Sequence, residues 1–218
     1  KSFEEVQVAR IDPEIGAKMQ KMIAVMEVKL EGQLYERNPD FKMEDRNVLK
    51  KVNFEKGVFI ENGKEYKLLD TNFPTIDPKD PLKLSPEESA LMSALTVSFA
   101  SSPKLQRHID YLYRVGSMFR IINNNLLYHG CIPMDSNGEL DKVSLGNKDL
   151  KGRDLMRYIY HQVRDAWYLP KNSPGRKKAL DLMWYLWCGA KSPLFGKEKM
   201  ATFERAFLAE KELHEEKK

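Results

Sequence analysis

The sequence predicts an α+β fold that is predominantly helical. Apolar residues recur at steps of three and four through several long segments, which is the period of an amphipathic helix. The alternation typical of strands is confined to short runs, and no regular strand–helix–strand order indicates a complete doubly wound sheet. Apolar residues make up 42% of the 218 positions, which is enough for the core of one large domain or two small ones.

The first helix is predicted to run from Pro13 to about Glu36. Asp12 is a favourable cap for its N-terminus, and proline suits the first helical position because no N–H is needed there. We interpret the apolar face of this helix as core, with a Met-rich groove for a partner as the alternative. That face carries Ile15, Met19, Met22, Ile23, Met26, Leu30 and Leu34.

A β-hairpin is predicted near residues 57–68. Strand patterns at 57–61 and 64–68 flank Asn62-Gly63, the favoured pair for a two-residue type I′ turn. In this register the two members of an ion pair face each other across the strands, and so do the two members of an aromatic pair. The pairs are Glu61 with Lys64 and Phe59 with Tyr66.

The remaining elements follow from capping patterns and from breaks at glycine and proline. Ser85, Pro86 and Glu88 form a capping box that begins a helix. The apolar run at 124–129 stops at Gly130 too abruptly for an ordinary helix, so we predict a buried strand there. Helices are predicted at about 43–52, 85–101, 103–119, 153–167, 177–188 and 202–217. Irregular connections are predicted at 73–84, 146–152 and 168–176.

The prediction divides the chain into two regions that can also pack as one domain. Residues 1–120 form a helical region that contains the hairpin near 57–68. Residues 121–218 contain the strand that ends at His129, followed by the C-terminal helices. Apolar anchors continue on both sides of the connection at 73–84, so we do not interpret it as a domain linker.

Composition excludes several classes of protein. The 36 basic and 32 acidic residues leave a net charge of +4, which attracts nucleic acid or anionic lipid only weakly. Cys131 and Cys188 lie far apart without a CxxC spacing, as expected for free thiols in a reducing compartment. No apolar run reaches the roughly 20 residues needed to cross a bilayer. We therefore expect a cytoplasmic protein that binds neither membrane nor nucleic acid.

His129 is the candidate for chemistry. It lies at the end of the predicted strand and directly before Gly130, where a side chain can face a crevice. A buried histidine bonded to a carbonyl is the alternative. The other histidines, His108, His161 and His214, lie on predicted polar or mixed helix faces and are interpreted as structural or solvated. No HExxH, P-loop, GxGxxG or GxSxG segment occurs in the sequence.

The segment LLYHGCIP, from Leu126 to Pro133, resembles the HGxxP segment of metallophosphoesterases of the calcineurin-like superfamily. In that superfamily the strand-end histidine binds one ion of a two-metal centre. Further segments are similar to the class III fructose-1,6-bisphosphatase family, and the resemblance extends from about residue 11 to the end of the sequence. These segments are VKLEGQ at 28–33, DTNFPT at 70–75, WYLWCG at 184–189, SPLFGK at 192–197 and TFER at 202–205.

The resemblance implies hydrolysis of the 1-phosphate of fructose 1,6-bisphosphate, a step of gluconeogenesis, with a pair of manganese or magnesium ions. Such a pair clamps phosphoryl oxygens and supplies hydroxide near neutral pH. The resemblance makes His129 one of the metal ligands, a role that suits a neutral imidazole nitrogen.

The family's other metal motifs, of the DxH, GDxxDRG, GNH[DE] and GHxH kinds, do not occur in these 218 residues. One ligand cannot hold two metals. We therefore expect an internal fragment, consisting of a helical insertion with one or two strands of an incomplete metallophosphoesterase sheet. The rest of the full-length enzyme would complete the metal centre, and the fragment alone would be inactive.

Two basic clusters are candidates for contact with the sugar bisphosphate. Lys151 and Arg153 belong to a glycine-flanked loop before a helix, and Lys197 and Arg205 lie around the SPLFG segment. Simple solvation of these side chains is the alternative interpretation.

A second hypothesis is a regulatory or oligomerisation module whose apolar helices bind a partner subunit, for example in a homo-oligomer. The two hypotheses make different predictions for His129, because in a regulatory or oligomerisation module this residue would have no part in the chemistry. Nucleic-acid binding is a third interpretation, and it is opposed by the interspersed acidic residues and by the lack of a recognised motif.

Overall fold

A computed structural model describes residues 12–216 of the chain. Within this range the fold is α+β and predominantly helical, with three small antiparallel sheets. The described residues form two compact units, a first unit of 12–93 with 201–216 and a second unit of 94–200. The sequence-based division at residue 120 stays a prediction. No described helix is both long enough and apolar enough to cross a membrane.

The α-helices of the described range are α1 (Pro13–Arg37), α2 (Pro86–Ala100), α3 (Pro103–Val115), α4 (Gly152–Tyr168), α5 (Pro174–Cys188) and α6 (Thr202–Phe207). The strands are β1 (Val52–Asn53), β2 (Val58–Glu61), β3 (Lys64–Lys67), β4 (Phe119–Ile122), β5 (Asn125–Tyr128), β6 (Val143–Leu145) and β7 (Lys148–Leu150). Short 3₁₀ helices lie at Pro39–Phe41, Glu44–Arg46, Val48–Lys51 and Lys211–His214. The boundary between the two units falls within α2.

Helix α1 begins as predicted, but only part of its apolar face is core. Asp12 Oδ1 accepts hydrogen bonds from the N–H groups of Glu14 at 2.9 Å and Ile15 at 3.2 Å, which caps the helix. Ile15 and Ile23 are more than half exposed, whereas Leu34 is buried. The prediction of a continuous core face is therefore wrong for the first half of α1. The 3₁₀ helices that follow α1 fold back and pack against it.

The predicted hairpin near residues 57–68 is confirmed. β2 and β3 pair antiparallel, and the turn residues Asn62 and Gly63 have φ values of 50° and 78°, the left-handed backbone of a type I′ turn. The facing pairs are Glu61 with Lys64 and Phe59 with Tyr66, as predicted. The short strand β1 adds a third strand beside β2.

Two predicted helices take other forms in the first unit. Residues 43–52 form 3₁₀ helices and enter β1 instead of forming one α-helix. Val48 and Leu49 are both buried in the last of these 3₁₀ helices. The helix predicted at 202–217 is shorter, because α6 ends at Phe207 and a 3₁₀ helix follows it.

The core of the first unit combines α1, the first hairpin, the irregular connection after it and α6. Its buried residues include Val25, Val28, Val48, Leu49, Phe59, Leu68, Leu82, Phe203 and Phe207. Aromatic rings form its centre: the Phe203 ring lies 5.5 Å from that of Phe59 and 4.9 Å from that of Phe207, measured between ring centroids. These contacts bring the C-terminal α6 back to the first unit.

A buried ion pair ties α1 to the start of α2. Lys29 is fully buried, and its Nζ lies 2.7 Å from Glu88 Oε2 and 2.6 Å from the Thr75 carbonyl oxygen. Glu88 Oε2 also accepts the Ser85 N–H at 2.8 Å, while Ser85 Oγ accepts the Glu88 N–H at 3.2 Å. The predicted capping box is confirmed, and its carboxylate has a second role as counter-ion of a buried lysine.

In the second unit, the strand predicted at 124–129 exists but is not buried. β4 and β5 form a hairpin around Asn123 and Asn124, whose φ values are 50° and 60°. Every residue of the two strands except Phe119 is exposed. The prediction of burial is wrong within the described range because a two-stranded ribbon covers neither of its own faces.

Residues 146–152 are not simply a polar loop. β6 and β7 form a hairpin that ends at Leu150, with Gly146 at φ +62° in the turn. Val143 and Leu145 are each 2% exposed and the residue between them is half-buried. This alternation sets one face of β6 into the core of the second unit.

Helices α4 and α5 pack against each other and provide most of the second core. Its buried side chains include Leu155, Met156, Ile159, Ala179, Leu182, Tyr185 and Leu186. α5 begins earlier than predicted, because Ser173 Oγ accepts the Arg176 N–H at 3.2 Å and Pro174 takes the first position. Leu180 and Trp187 of the same helix are about half and two-thirds exposed.

We predict that Lys29→Ala lowers the free energy of unfolding by about 3 kcal/mol or more, because it leaves Glu88 charged and buried without its partner. Chemical denaturation followed by circular dichroism measures this. Lys18→Ala on the same helix is the control, since its pair with Glu14 is exposed, and it should leave the denaturation midpoint unchanged. Equal losses in the two variants would contradict the structural role of the buried pair.

The carboxyl of Glu31 makes stability depend on pH. Burial and then the charge of Glu27 raise the pKa of Glu31 to about 7, although Arg46 acts in the opposite direction. The folded chain therefore binds a proton that the unfolded chain has lost, and stability falls as pH rises from about 4.5 to about 7.

Glu31→Gln should remove this dependence. Relative to the wild type, we expect the variant to gain up to roughly 3 kcal/mol between pH 4.5 and pH 8. Denaturation curves across that range test this, with Glu55→Gln as the control at an exposed glutamate of the same unit. A constant difference between Glu31→Gln and the wild type would contradict the prediction.

Candidate functional site

His129 follows β5 directly and has an exposed side chain. Among residues 12–216 its ring has no hydrogen-bond partner, so the alternative of a buried histidine bonded to a carbonyl is wrong. The imidazole is available to a ligand or to another part of a protein.

The loop that carries His129 is held by a close approach between two backbone segments. Gly130 has φ +74°, and a Cβ atom at this position would lie 2.3 Å from the Pro193 carbonyl oxygen. The next residue, Cys131, donates its N–H to the same oxygen at 2.9 Å. Only glycine allows this approach, because any side chain would overlap a backbone atom.

The opposing segment is itself fixed from inside the core. Ser192 is fully buried and its hydroxyl donates to the Leu186 carbonyl oxygen at 2.7 Å. Ser192 Oγ in turn accepts the N–H groups of Leu194 at 3.2 Å and Phe195 at 3.4 Å. Two segments that are separated in sequence, HGCIP and SPLFG, therefore meet as one structural element and set the position of His129.

Cys131 belongs to this element but is not a candidate nucleophile. Its Sγ lies 3.5 Å from the Ser192 carbonyl oxygen. Burial raises the pKa of the thiol, although a backbone hydrogen bond from Gly196 acts in the opposite direction. A raised pKa keeps the sulfur as the weakly nucleophilic thiol, so its role here is packing.

An apolar cleft of about 360 Å³ opens beside the β4–β5 hairpin. One face of the hairpin forms a wall of this cleft, and the start of α4 forms another. Its lining residues are Phe119, Ile121, Leu126, Tyr128, Ile132, Leu140, Gly152, Arg153 and Met156. Tyr128 precedes His129 in the chain, so the cleft adjoins the histidine loop and brings Arg153 to the same region of the second unit.

The four predicted substrate residues are divided between the two units. Lys151 is the N-cap residue of α4 and Arg153 lies in its first turn, and both are exposed. Lys197 follows the SPLFG segment and is half-buried. Arg205 belongs to the first unit, where its guanidinium lies 3.0 Å from Glu216. Three of the four thus share a unit with His129.

A second, polar cleft of about 270 Å³ combines the predicted substrate residue Arg153 with residues that were not predicted as a site. Arg153, Arg157 and His161 line it from α4, together with Ser117 from the segment before β4. The spacing of four residues places the three α4 side chains on one helical face, which is a pattern visible in the sequence. It was missed because His161 was interpreted as solvated without regard to the two arginines.

The described residues do not by themselves fit a two-metal centre. Within residues 12–216 no group of three or more His, Cys, Asp or Glu side chains is placed to hold a metal ion. His129 is a single imidazole on a fixed loop, and one imidazole does not assemble a pair of metal ions.

Comparison with known proteins shows what the chain resembles. The whole chain, residues 1–218, matches the family described as Firmicute fructose-1,6-bisphosphatase. It is 47% identical over 207 residues to fructose-1,6-bisphosphatase class 3 of Clostridium botulinum (strain Langeland / NCTC 10281 / Type F), and 46% identical over 205 residues to that of Clostridium tetani (strain Massachusetts / E88). These matches cover 95% and 94% of this chain and 31% of each relative. No solved structure matches the chain significantly.

We predict that Gly130→Ala destabilises the second unit more than Gly138→Ala does. Both glycines have a positive φ, +74° and +80°, so both variants pay the cost of a left-handed alanine, about 1 kcal/mol. A Cβ at Gly138 meets no atom within 4 Å. The overlap at Gly130 should add roughly 1–3 kcal/mol.

Urea denaturation of the two glycine variants measures the difference, and limited proteolysis near residue 130 locates it. Equal denaturation midpoints would show that the loop yields to the new side chain, and would remove the close approach as the constraint on His129.

Proposed function

The chain belongs to the Firmicute fructose-1,6-bisphosphatase family, and we propose that it is one section of a longer enzyme that hydrolyses the 1-phosphate of fructose 1,6-bisphosphate to give fructose 6-phosphate. The match of the family over residues 1–218 carries this proposal. The reaction is a step of gluconeogenesis, and we place the enzyme in the cytoplasm, where the free thiols of Cys131 and Cys188 would remain reduced.

We further propose that His129 supplies one ligand of a metal centre whose other ligands lie outside these 218 residues. The support is its exposed ring on a loop held by the HGCIP and SPLFG segments. Fixing the backbone on both sides of a ligand is what a rigid metal site requires. Manganese or magnesium is the expected metal, and this chain alone should not turn over substrate.

The β4–β5 hairpin is proposed as the part of this chain that joins the sheet of the complete enzyme. Ile121 is 67% exposed on one face and Leu127 is 51% exposed on the other. A two-stranded ribbon with apolar side chains on both faces is marginal in water, and each strand has an unpaired edge. Strands and helices from the rest of the enzyme would cover these faces and edges.

Exposed apolar side chains on α2 and α3 support the same proposal. The largest of them are Leu95, Val97, Phe99, Tyr111, Leu112 and Val115. The matched relatives are about three times as long as this chain, so the rest of the full-length protein is the expected cover. A homo-oligomer is a separate expectation that stays a prediction.

Phosphate release from fructose 1,6-bisphosphate tests the proposed function. With added manganese, the full-length wild type should be active and the 218-residue chain inactive. His129→Ala in the full-length protein should lower kcat roughly 100-fold or more and reduce the bound metal, because a first ligand is lost.

His108→Ala is the matched control, since His108 is an exposed histidine on α3, and it should keep full activity. If His129→Ala keeps the activity and the metal content of the wild type, the proposal that His129 is a metal ligand is wrong. Inactivity of the full-length wild type would overturn the proposed function itself.

A further inference from the structure

The polar cleft between α4 and the segment before β4 has a strongly cationic lining. Arg153, Arg157 and His161 recur every fourth residue of α4 and face the cleft together. No aspartate or glutamate lines it. The guanidinium groups of Arg153 and Arg157 have no carboxylate within salt-bridge distance among residues 12–216.

This arrangement is electrostatically unfavourable without an anion. Like charges four residues apart on a helix repel each other, and a cation in the first turn opposes the positive end of the helix dipole. Lys151, at the N-cap of α4, offers no side-chain cap to the first N–H groups. An anion in the cleft would relieve the repulsion between Arg153 and Arg157 and would interact favourably with the helix end.

A third arginine holds the two walls of the cleft in place. The Arg164 guanidinium lies 3.5 Å from the centre of the Tyr160 ring, which lines the cleft, and donates to the Gly116 carbonyl oxygen at 3.2 Å. The adjacent Ser117 hydroxyl donates to the Phe119 carbonyl oxygen at 2.7 Å. The segment at 116–119 is thereby tied to α4, so the cleft is formed before any ligand binds.

We propose that this cleft binds a phosphate monoester, with Arg153 and Arg157 donating to the phosphate oxygens and the His161 ring beside them. Arginine suits this role because its planar group can donate two parallel hydrogen bonds to one phosphate. Phe119, Arg153 and Met156 line both this cleft and the apolar one. The carbon skeleton of a bound phosphate ester can therefore extend from the polar cleft along the apolar wall.

Two sources could supply the phosphate. One is the phosphate of fructose 1,6-bisphosphate that is not hydrolysed, and this source rests on the proposed function. The other is a different phosphate monoester that binds independently of catalysis. Both sources present a phosphate group to Arg157. They differ in whether a substitution of Arg157 affects hydrolysis of the bisphosphate.

The experiment titrates metal-free full-length protein with inorganic phosphate by isothermal calorimetry, so that no catalytic metal competes for the anion. Arg157→Gln should weaken phosphate binding roughly tenfold or more, the loss expected for a charge-assisted hydrogen bond. Arg157→Lys should bind phosphate more tightly than Arg157→Gln and less tightly than the wild type. Lysine keeps the positive charge but lacks the planar group that donates two parallel hydrogen bonds. Arg107→Gln, at an exposed arginine of α3, is the matched control and should bind phosphate as the wild type does.

Steady-state kinetics of the same variants, loaded with metal, separate the two sources. A KM for fructose 1,6-bisphosphate that rises about tenfold in Arg157→Gln with a nearly constant kcat assigns the cleft to the substrate. An unchanged KM together with weakened phosphate binding assigns it to another phosphate monoester. Phosphate affinity that is equal in Arg157→Gln and the wild type, or no phosphate binding by the wild type at millimolar concentration, overturns the proposal. A wild type that binds phosphate but does not hydrolyse the bisphosphate would instead overturn only the proposed function.

Discussion

The candidate site depends on one close approach between backbones, that of Gly130 to Pro193. The hydrogen bond from Cys131 to the Pro193 carbonyl oxygen sets this distance, and Ser192 fixes the opposite side from within the core. His129 owes its position to this contact, since its own side chain makes no hydrogen bond among the described residues. A side chain on a loop held in this way is oriented by the fold and stays exposed.

The two units of the described range differ in how complete they are. The first has an aromatic core around Phe203 and Phe207 and a buried ion pair between Lys29 and Glu88. A buried pair of this kind is costly to break, so it specifies how α1 meets the start of α2. The second unit has a hydrophobic core between α4 and α5, but it also exposes an apolar hairpin and apolar helix faces. This contrast agrees with a chain that spans 31% of its matched relatives.

The proposed catalytic and phosphate-binding roles place different demands on the second unit. The His129 loop supplies one rigid donor and leaves the rest of a metal centre to sequence outside this chain. The cleft lined by Arg153 and Arg157 is already assembled from residues of this chain and held by Arg164. Phosphate recognition can therefore be tested here without the metal, whereas hydrolysis requires the longer protein.

Sequence alone determined the features that depend on neighbours in the chain. The Asp12 cap, the Ser85–Glu88 capping box and the 57–68 hairpin are local, because their partners lie within a few residues. The prediction that His129 is a metal ligand also came from a local string and its family resemblance. The same local patterns could not show that the strand at 124–129 is exposed, since an apolar run indicates a need for burial and not the element that provides it.

Only the tertiary structure decided which distant segments meet. It joined HGCIP to SPLFG, and it placed α6 with Arg205 in the first unit and the other basic candidates in the second. It also showed that the helical face carrying Arg153, Arg157 and His161 lines a cleft. The physical reason is that such contacts depend on the path of the chain between the segments, and local propensity and hydrophobic period carry no information about that path.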